Sequence, residues 1–295
     1  MWFKNLSVFR LTEAFSWSTT DLEPKLAELA FRPCGAHEES SFGWTAPVGK
    51  PGAPLVHSSN GFLMLCGKKE ERVLPSQVVN EMVQEKIQDT EEKQGRKLGK
   101  KERATIKDEL VFELLPKAFT FSRKIYAYID PKGGFVIVDA ASAKSAEDVL
   151  SLLRESIGSL PAIPLNTINK PTAVMTAWLS ENQAPGGFQL EDECELRSPE
   201  EAGAIVRCKR HDLCVPEIKS HLDSGKEAIK LAVNWQDRLA FVLDEHLAIK
   251  RLRFLELVQD QVADTNAQSE TERFDADFAI MALEKIGRAS CRERV

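Results

Sequence analysis

The segment KQGRKLGKKERATIK, residues 93–107, defines the most distinctive part of the predicted fold. Upstream of it, apolar residues recur at helical spacing through residues 79–87. Gly95 and Gly99 each lower helix stability by about 1 kcal/mol relative to alanine, and Pro116 ends the following apolar pattern. We therefore predict two helices joined by a bend between the two glycines. We expect this pair to project, because no apolar residue is predicted to be buried at its tip.

Positive charge is concentrated in the same segment. Residues 93–107 carry a net charge of +6, in a chain whose formal net charge is −6. Segregated charge of this kind indicates either a polyanionic partner or a solvated helix surface, and the segment alone does not decide between them. Its only acidic residue is Glu102.

The composition is that of an ordinary globular protein, with 43% hydrophobic and 28% charged residues among 295. No apolar run is long enough for a membrane span, and the first residues lack the pattern of a secretory signal. The six cysteines are scattered without a CxxC pair, which predicts reduced thiols in a cytosolic protein.

The predicted strands and helices mix without regular βαβ alternation, which indicates an α+β fold with antiparallel sheets and packed helices. Ser145 is predicted to cap a helix that runs to Ile157, and the charged segment KKEER (68–72) is predicted to be the exit of a strand. A helix over residues 252–262 is predicted to close the fold. The last eleven residues, KIGRASCRERV, break the pattern and are interpreted as a non-native tail, whose removal leaves a net charge of −9. The predicted organisation is an N-terminal lobe (1–74 and 117–160), an inserted helical basic arm (75–116), a C-terminal lobe (161–284) and the tail (285–295).

Further basic clusters lie on other predicted elements. Residues 207–211 (RCKRH) are predicted to form a strand with Arg207, Lys209 and His211 on one face, ending in an exposed loop at Arg210 and His211. Residues 250–253 and 226–230 carry two more clusters. Their distribution predicts that one basic surface is assembled in space. The spacing of Cys208, His211 and Cys214 does not match a zinc site, so no metal is predicted.

Enzyme motifs are not found in the sequence. GxxxxGK[ST], GxGxxG, GxSxG and HExxH do not occur, and no carboxylates are paired for two-metal phosphodiester chemistry. Asp192 and its acidic neighbours are interpreted as a solvated strand edge or loop, and a nuclease stays open only because acidic residues are plentiful. The aromatics that alternate from Phe119 to Tyr128 fit core packing, although an exposed aromatic at Phe119 would suit a dimer contact.

Several stretches together resemble the bacterial recombination-associated protein RdgC family. They are MWFKNLSVFRL, FRPCG, NGF…KKEERVLPS, KDEL…LLPKAF, VDAASAKSAEDVLSLLRESIGSLP, GFQL, KLAVNW and RFDADF, which span essentially the whole chain. The chain departs from the family at its end, where an apolar helical tail is expected after MALE. The resemblance implies a ring-forming homodimer that encircles double-stranded DNA without sequence preference and restrains the RecA recombinase by limiting access to DNA.

The resemblance also implies site residues. It places Phe119 at one dimer interface and Arg210 and His211 at the other. It implies a cytoplasmic protein associated with the nucleoid. Single-stranded DNA stays open as a further ligand. The alternative mechanism is that the protein regulates recombination by direct contact with the recombinase. We predict no catalytic residue and no cofactor. The predicted DNA-binding residues are Lys93, Arg96, Lys97, Lys100, Lys101, Arg103, Lys107, Lys209, Lys226, Lys250, Arg251 and Arg253.

Overall fold

A computed structural model describes residues 2–49, 52–200 and 203–256, together with residues 258, 272, 274, 275, 277, 278 and 281. The predicted non-native tail (285–295) lies outside the described residues, as do residues 257 and 259–262 of the predicted closing helix (252–262). Residues 252–254 of that predicted helix belong instead to a strand. Within the described part of the chain, no helix is long and apolar enough to cross a membrane.

The fold is α+β, as predicted, with antiparallel strand pairs and six helices among the described residues. The helices are α1 (Thr19–Glu28), α2 (Ser76–Gln94), α3 (Lys100–Leu114), α4 (Ala143–Ile157), α5 (Pro171–Glu181) and α6 (Pro216–Asp223). The strands are β1 (Leu6–Leu11), β2 (Ser40–Thr45), β3 (His57–Ser59), β4 (Phe62–Arg72), β5 (Thr120–Asp130), β6 (Phe135–Asp139), β7 (Ala162–Pro164), β8 (Phe188–Arg197), β9 (Ile205–Lys209), β10 (Glu227–Trp235), β11 (Leu239–Asp244) and β12 (Ile249–Phe254).

The chain divides into two compact units, and the boundary between them falls within β4 and β5. Unit 1 comprises Met1–Glu28, Ala46–Cys66 and Ile125–Val295, and unit 2 comprises Leu29–Thr45 and Gly67–Lys124. The lobe and arm boundaries derived from the sequence stay predictions.

Unit 1 is built on an antiparallel sheet in which β6, β1, β12, β11, β10, β8 and β9 are neighbours in that order. Strand β1 pairs with β6 on one side and with β12 on the other, where Leu6 lies opposite Ile249. Helix α5 packs on β10 and contributes Met175, Trp178 and Leu179 to the core. Burial of these large apolar side chains is the main stabilising contribution to the unit.

Unit 2 contains β2, the C-terminal part of β4 (residues 67–72), the N-terminal part of β5 (residues 120–124) and the helices α2 and α3. The charged segment KKEER, predicted as the exit of a strand, instead continues β4 to Arg72. The guanidinium of Arg72 donates hydrogen bonds to the carbonyl oxygens of Leu115 (2.8 Å), Ala118 (3.2 Å) and Gly35 (3.1 Å). One side chain therefore joins three backbone segments of the unit.

The N-terminus of α4 differs from the predicted one. Ser145 was the expected cap, but the helix begins at Ala143, and the side-chain oxygen of Ser142 accepts a hydrogen bond from the Ser145 backbone N–H at 3.2 Å. Both serines have the polar side chain that caps require, so the sequence pattern alone could not choose between them.

Candidate nucleic-acid interface

Helices α2 and α3 form a helical hairpin, residues 76–114, as the glycine spacing predicts. They pack against each other through an apolar stripe. Leu98, in the turn between the helices, is only 6% exposed and belongs to the same apolar cluster. The expectation that the tip buries no apolar residue is therefore wrong. The buried residues of the cluster are Val79, Val83, Ile87, Leu98 and Leu110.

Glu91 holds the turn from the side of α2. Gly95 ends that helix with a φ of 63°, a left-handed conformation that glycine adopts without a steric penalty. The Glu91 carboxylate then accepts a hydrogen bond from the Leu98 backbone N–H at 2.8 Å and pairs with Arg103 at 2.9 Å. The hydrogen bond from Leu98 is the main reason that the pKa of Glu91 lies below its usual value.

Glu102 holds the turn from the side of α3. Its carboxylate accepts a hydrogen bond from the Gly99 backbone N–H at 2.8 Å, and Arg96 donates to both of its oxygens, at 3.1 and 2.6 Å. The Arg96 hydrogen bond, followed by that of Gly99, lowers the pKa of Glu102 to about 2. Arg96 and Arg103, both predicted to bind DNA, are thus already engaged in holding the turn.

The remaining five cations of the segment 93–107 are lysines with exposed side chains, which we call the hairpin lysines. Among the described residues, none of these lysines has a carboxylate partner within ion-pairing distance, in contrast to Arg96 and Arg103. Exposed ammonium groups of this kind attract solvent counterions, which a polyanion can displace. The five are Lys93, Lys97, Lys100, Lys101 and Lys107.

In unit 1, three predicted DNA-binding residues come together on one face of the sheet. Lys209, Arg251 and Arg253 line a cavity of 940 Å³. Arg251 pairs with Glu193 at 2.6 Å, and Lys209 approaches the same carboxylate at 3.8 Å. Arg253 lies 3.4 Å from Glu191. We call these five side chains the basic sheet face.

On the basic sheet face, the carboxylates lie beneath the cations. The side chain of Glu193 is 18% exposed, whereas that of Arg251 is 56% exposed. Asp192 is exposed, in keeping with the interpretation of this region as solvated. For Glu191 and Glu193 that interpretation is wrong, because β8 pairs with both β9 and β10 and these two carboxylates are half-buried. The alternation of Glu191, Glu193 and Glu195 is the sequence signal that could have identified them.

The other two predicted DNA-binding residues of unit 1 do not line that cavity. The Lys250 ammonium donates a hydrogen bond to the carbonyl oxygen of Ala141 at 2.7 Å and lies 3.7 Å from Asp244. The Lys226 ammonium donates to the Ser224 hydroxyl at 2.9 Å. Each lysine is thus bound to neighbouring protein atoms.

The residues predicted at dimer interfaces are exposed. Phe119 has 87% of its surface exposed, and Phe121 has 60%, so the interpretation of the alternating aromatics as core packing is wrong for these two residues. Strand β9 ends at Lys209, and Arg210 turns with a φ of 53°, so His211 does not extend the strand face as predicted. Arg210 and His211 nevertheless lie in an exposed loop, as expected.

No group of three or more His, Cys, Asp or Glu side chains within the described residues is arranged to hold a metal ion. Cys208 is half-buried on β9, whereas Cys214 is exposed beyond the end of that strand.

Comparison with known proteins relates almost the whole chain to one family. A family model described as "RdgC: Putative exonuclease, RdgC" matches residues 1–286. The chain is 49% identical over 284 residues to the recombination-associated protein RdgC of Tolumonas auensis, which covers 96% of this chain and 94% of that protein. It is 47% identical to the proteins of the same name from Aeromonas hydrophila and Pseudomonas aeruginosa, over 96% of this chain and 94% and 93% of those proteins.

Proposed function

Because this chain belongs to the RdgC family of recombination-associated proteins, we propose that it binds double-stranded DNA without sequence preference and limits the access of a RecA-type recombinase to that DNA. The observation that carries the proposal is the set of five exposed hairpin lysines, for which the described part of the chain offers no carboxylate partner. A lysine ammonium is a point charge that contacts phosphate without reading base edges. Binding through it is sequence-tolerant and depends steeply on salt, because phosphate contacts release condensed counterions.

The structure of the turn supports this use of the lysines. Leu98, Glu91 and Glu102 hold the backbone of residues 95–99 in one conformation, so the flanking lysines start from a fixed backbone. Less conformational entropy is then lost when Lys97 and Lys100 meet phosphates than would be lost from a flexible loop.

The basic sheet face is proposed as a weaker contact. Arg251 and Arg253 have to exchange carboxylates for phosphates, and Glu193 and Glu191 then lie close to DNA without their partners. Such an exchange gains less free energy than a new contact made by an unpaired lysine, since it replaces one ion pair by another. The hairpin lysines are therefore expected to dominate the salt dependence of binding.

We propose a homodimer that closes into a ring around the duplex, in the cytoplasm and associated with the nucleoid. The exposure of Phe119 and Phe121 supports an apolar contact between copies, because a phenylalanine that is 87% exposed retains most of its surface for burial. Arg210 and His211, polar and exposed, are the proposed residues of the second interface.

Two other functions make different predictions. A protein that inhibits by contacting the recombinase directly would need an amount set by the recombinase concentration, whereas a DNA coat needs an amount set by DNA length. Titration of this protein into recombinase reactions on duplexes of two lengths, at constant recombinase, separates them. We expect the inhibitory amount to scale with DNA length, and an amount that follows the recombinase alone would refute occlusion.

The description of the family model makes nuclease activity the second alternative. End-labelled duplex incubated with this protein and Mg²⁺ or Mn²⁺ tests it. We expect intact DNA after prolonged incubation, and processive shortening from the ends would establish an exonuclease.

A further inference from the structure

Two cysteines lie directly opposite each other on neighbouring strands of unit 1. In the register of β8 and β9, Cys194 is paired with Cys208. Directly opposed residues of an antiparallel pair have Cα atoms about 4.5 or 5.5 Å apart, and disulfides span Cα separations of about 4.4–6.8 Å. Both thiols are free. From this juxtaposition we propose that Cys194 and Cys208 form a reversible intramolecular disulfide under oxidising conditions.

The flanking residues keep the two cysteines in register. On either side of the pair, Glu193 lies opposite Lys209 and Glu195 lies opposite Arg207, with ion pairs at 3.8 and 3.1 Å. A slip by one residue would separate both ion pairs and move the apolar residues of β8 to the wrong face of the sheet. The pair is therefore held in its geometry before any bond forms.

The environments of the two thiols differ, which gives them different parts in the reaction. Cys194 is buried in the core of unit 1, and burial is the first cause that raises its pKa to about 12. Cys208 is half-buried and is the thiol that a small oxidant reaches first. Deprotonated Cys208 is thus the expected nucleophile, and Cys194 the resolving thiol.

With hydrogen peroxide as the oxidant, the atoms balance in two steps. The Cys208 sulfur attacks one peroxide oxygen, the O–O bond breaks, and a sulfenic acid and one water are formed. The Cys194 sulfur, as its proton leaves, then attacks the sulfenic sulfur, the S–O bond breaks, and the disulfide and a second water are formed. Two thiols are oxidised and one peroxide is reduced; a dithiol reductant reverses the change.

The test uses the full chain, incubated with hydrogen peroxide, alkylated under denaturing conditions and mapped without reduction. We expect a linked peptide that joins Cys194 to Cys208 and disappears after dithiothreitol. The same link should form in Cys214→Ser, the matched control, which removes the exposed cysteine beyond β9. The bond should also raise Tm by roughly 5–10 °C, because it closes a loop of about 15 residues.

Cysteine variants separate the two steps. In Cys194→Ala, the sulfenic acid at Cys208 should persist and be trapped by dimedone. If that variant does not fold, Cys208→Ser, which alters a half-buried residue, should leave Cys194 unlinked and open to alkylation after denaturation. Complete alkylation of Cys194 in the oxidised wild-type protein, or a link from Cys208 to Cys214 instead, would overturn the proposal. Neither result depends on whether the protein binds DNA.

Discussion

Neutralising three hairpin lysines should weaken DNA binding by an amount that the counterion argument specifies. The change is Lys97→Gln, Lys100→Gln and Lys101→Gln, all exposed positions without an ion pair among the described residues. Each phosphate contact contributes a slope of about −0.9 to the dependence of log K on log salt. Three lost contacts should therefore make the slope shallower by about 2.7, which corresponds to about a 150-fold loss of affinity at 0.15 M salt.

The assay is fluorescence anisotropy with duplexes of two unrelated sequences over a range of salt concentrations. The loss should be the same for both sequences, because phosphate contacts carry no base information. The matched control replaces three exposed lysines of unit 1, Lys144, Lys170 and Lys219, by glutamine and changes the net charge equally. An equal loss in both variants would attribute the effect to net charge, and an unchanged slope in the hairpin variant would refute the assignment of these lysines to phosphate.

Three further perturbations test the interface and the turn. Phe119→Ala should shift the protein from dimer to monomer or an open form in sedimentation velocity, because it removes the most exposed apolar side chain of unit 2, and Phe112→Ala serves as the exposed control. A dimer population unaffected by Phe119→Ala would show that the interface assignment is wrong. Leu98→Ala should lower the free energy of unfolding by about 3 kcal/mol in urea titration, since it leaves a cavity between the helices, and a loss near zero would contradict the packing of the turn. The pKa of Glu102 is lowered to about 2 in the folded protein, whereas a glutamate in an unfolded chain has a pKa near 4.3. The Glu102 carboxylate therefore stabilises the fold fully above pH 4.3, and this stabilisation is lost as the pH falls towards 2. The protection factor of the Gly99 amide, its exchange rate relative to an unstructured chain at the same pH, should therefore fall over that interval in the wild-type protein. At pH 7 the amide should be less protected in Glu102→Gln, and identical protection in both proteins at pH 7 would contradict the role of the carboxylate.

The hairpin separates features that a local sequence pattern predicts from features that depend on packing. The helical spacing of its apolar residues and the two glycines predicted both helices and the bend, because these signals act within a few residues. The same pattern did not predict the burial of Leu98. That burial depends on the packing of α2 against α3, which brings Leu98 onto a stripe formed by residues of both helices.

The sequence by itself determined the α+β class, most of the strands and helices, and the family, because propensity, periodicity and motif are properties of neighbouring residues. Tertiary structure alone decided which charges are free. Arg251 and Glu193 are distant in the chain, and only the order of β12, β11, β10 and β8 in one sheet brings that cation over that carboxylate. Among the described residues, the hairpin lysines lie within ion-pairing distance of no carboxylate, whereas Glu91 and Glu102 of the same hairpin are bound to backbone N–H groups and arginines of the turn. Charge counts along the sequence could not separate these cases, since pairing depends on distance in space.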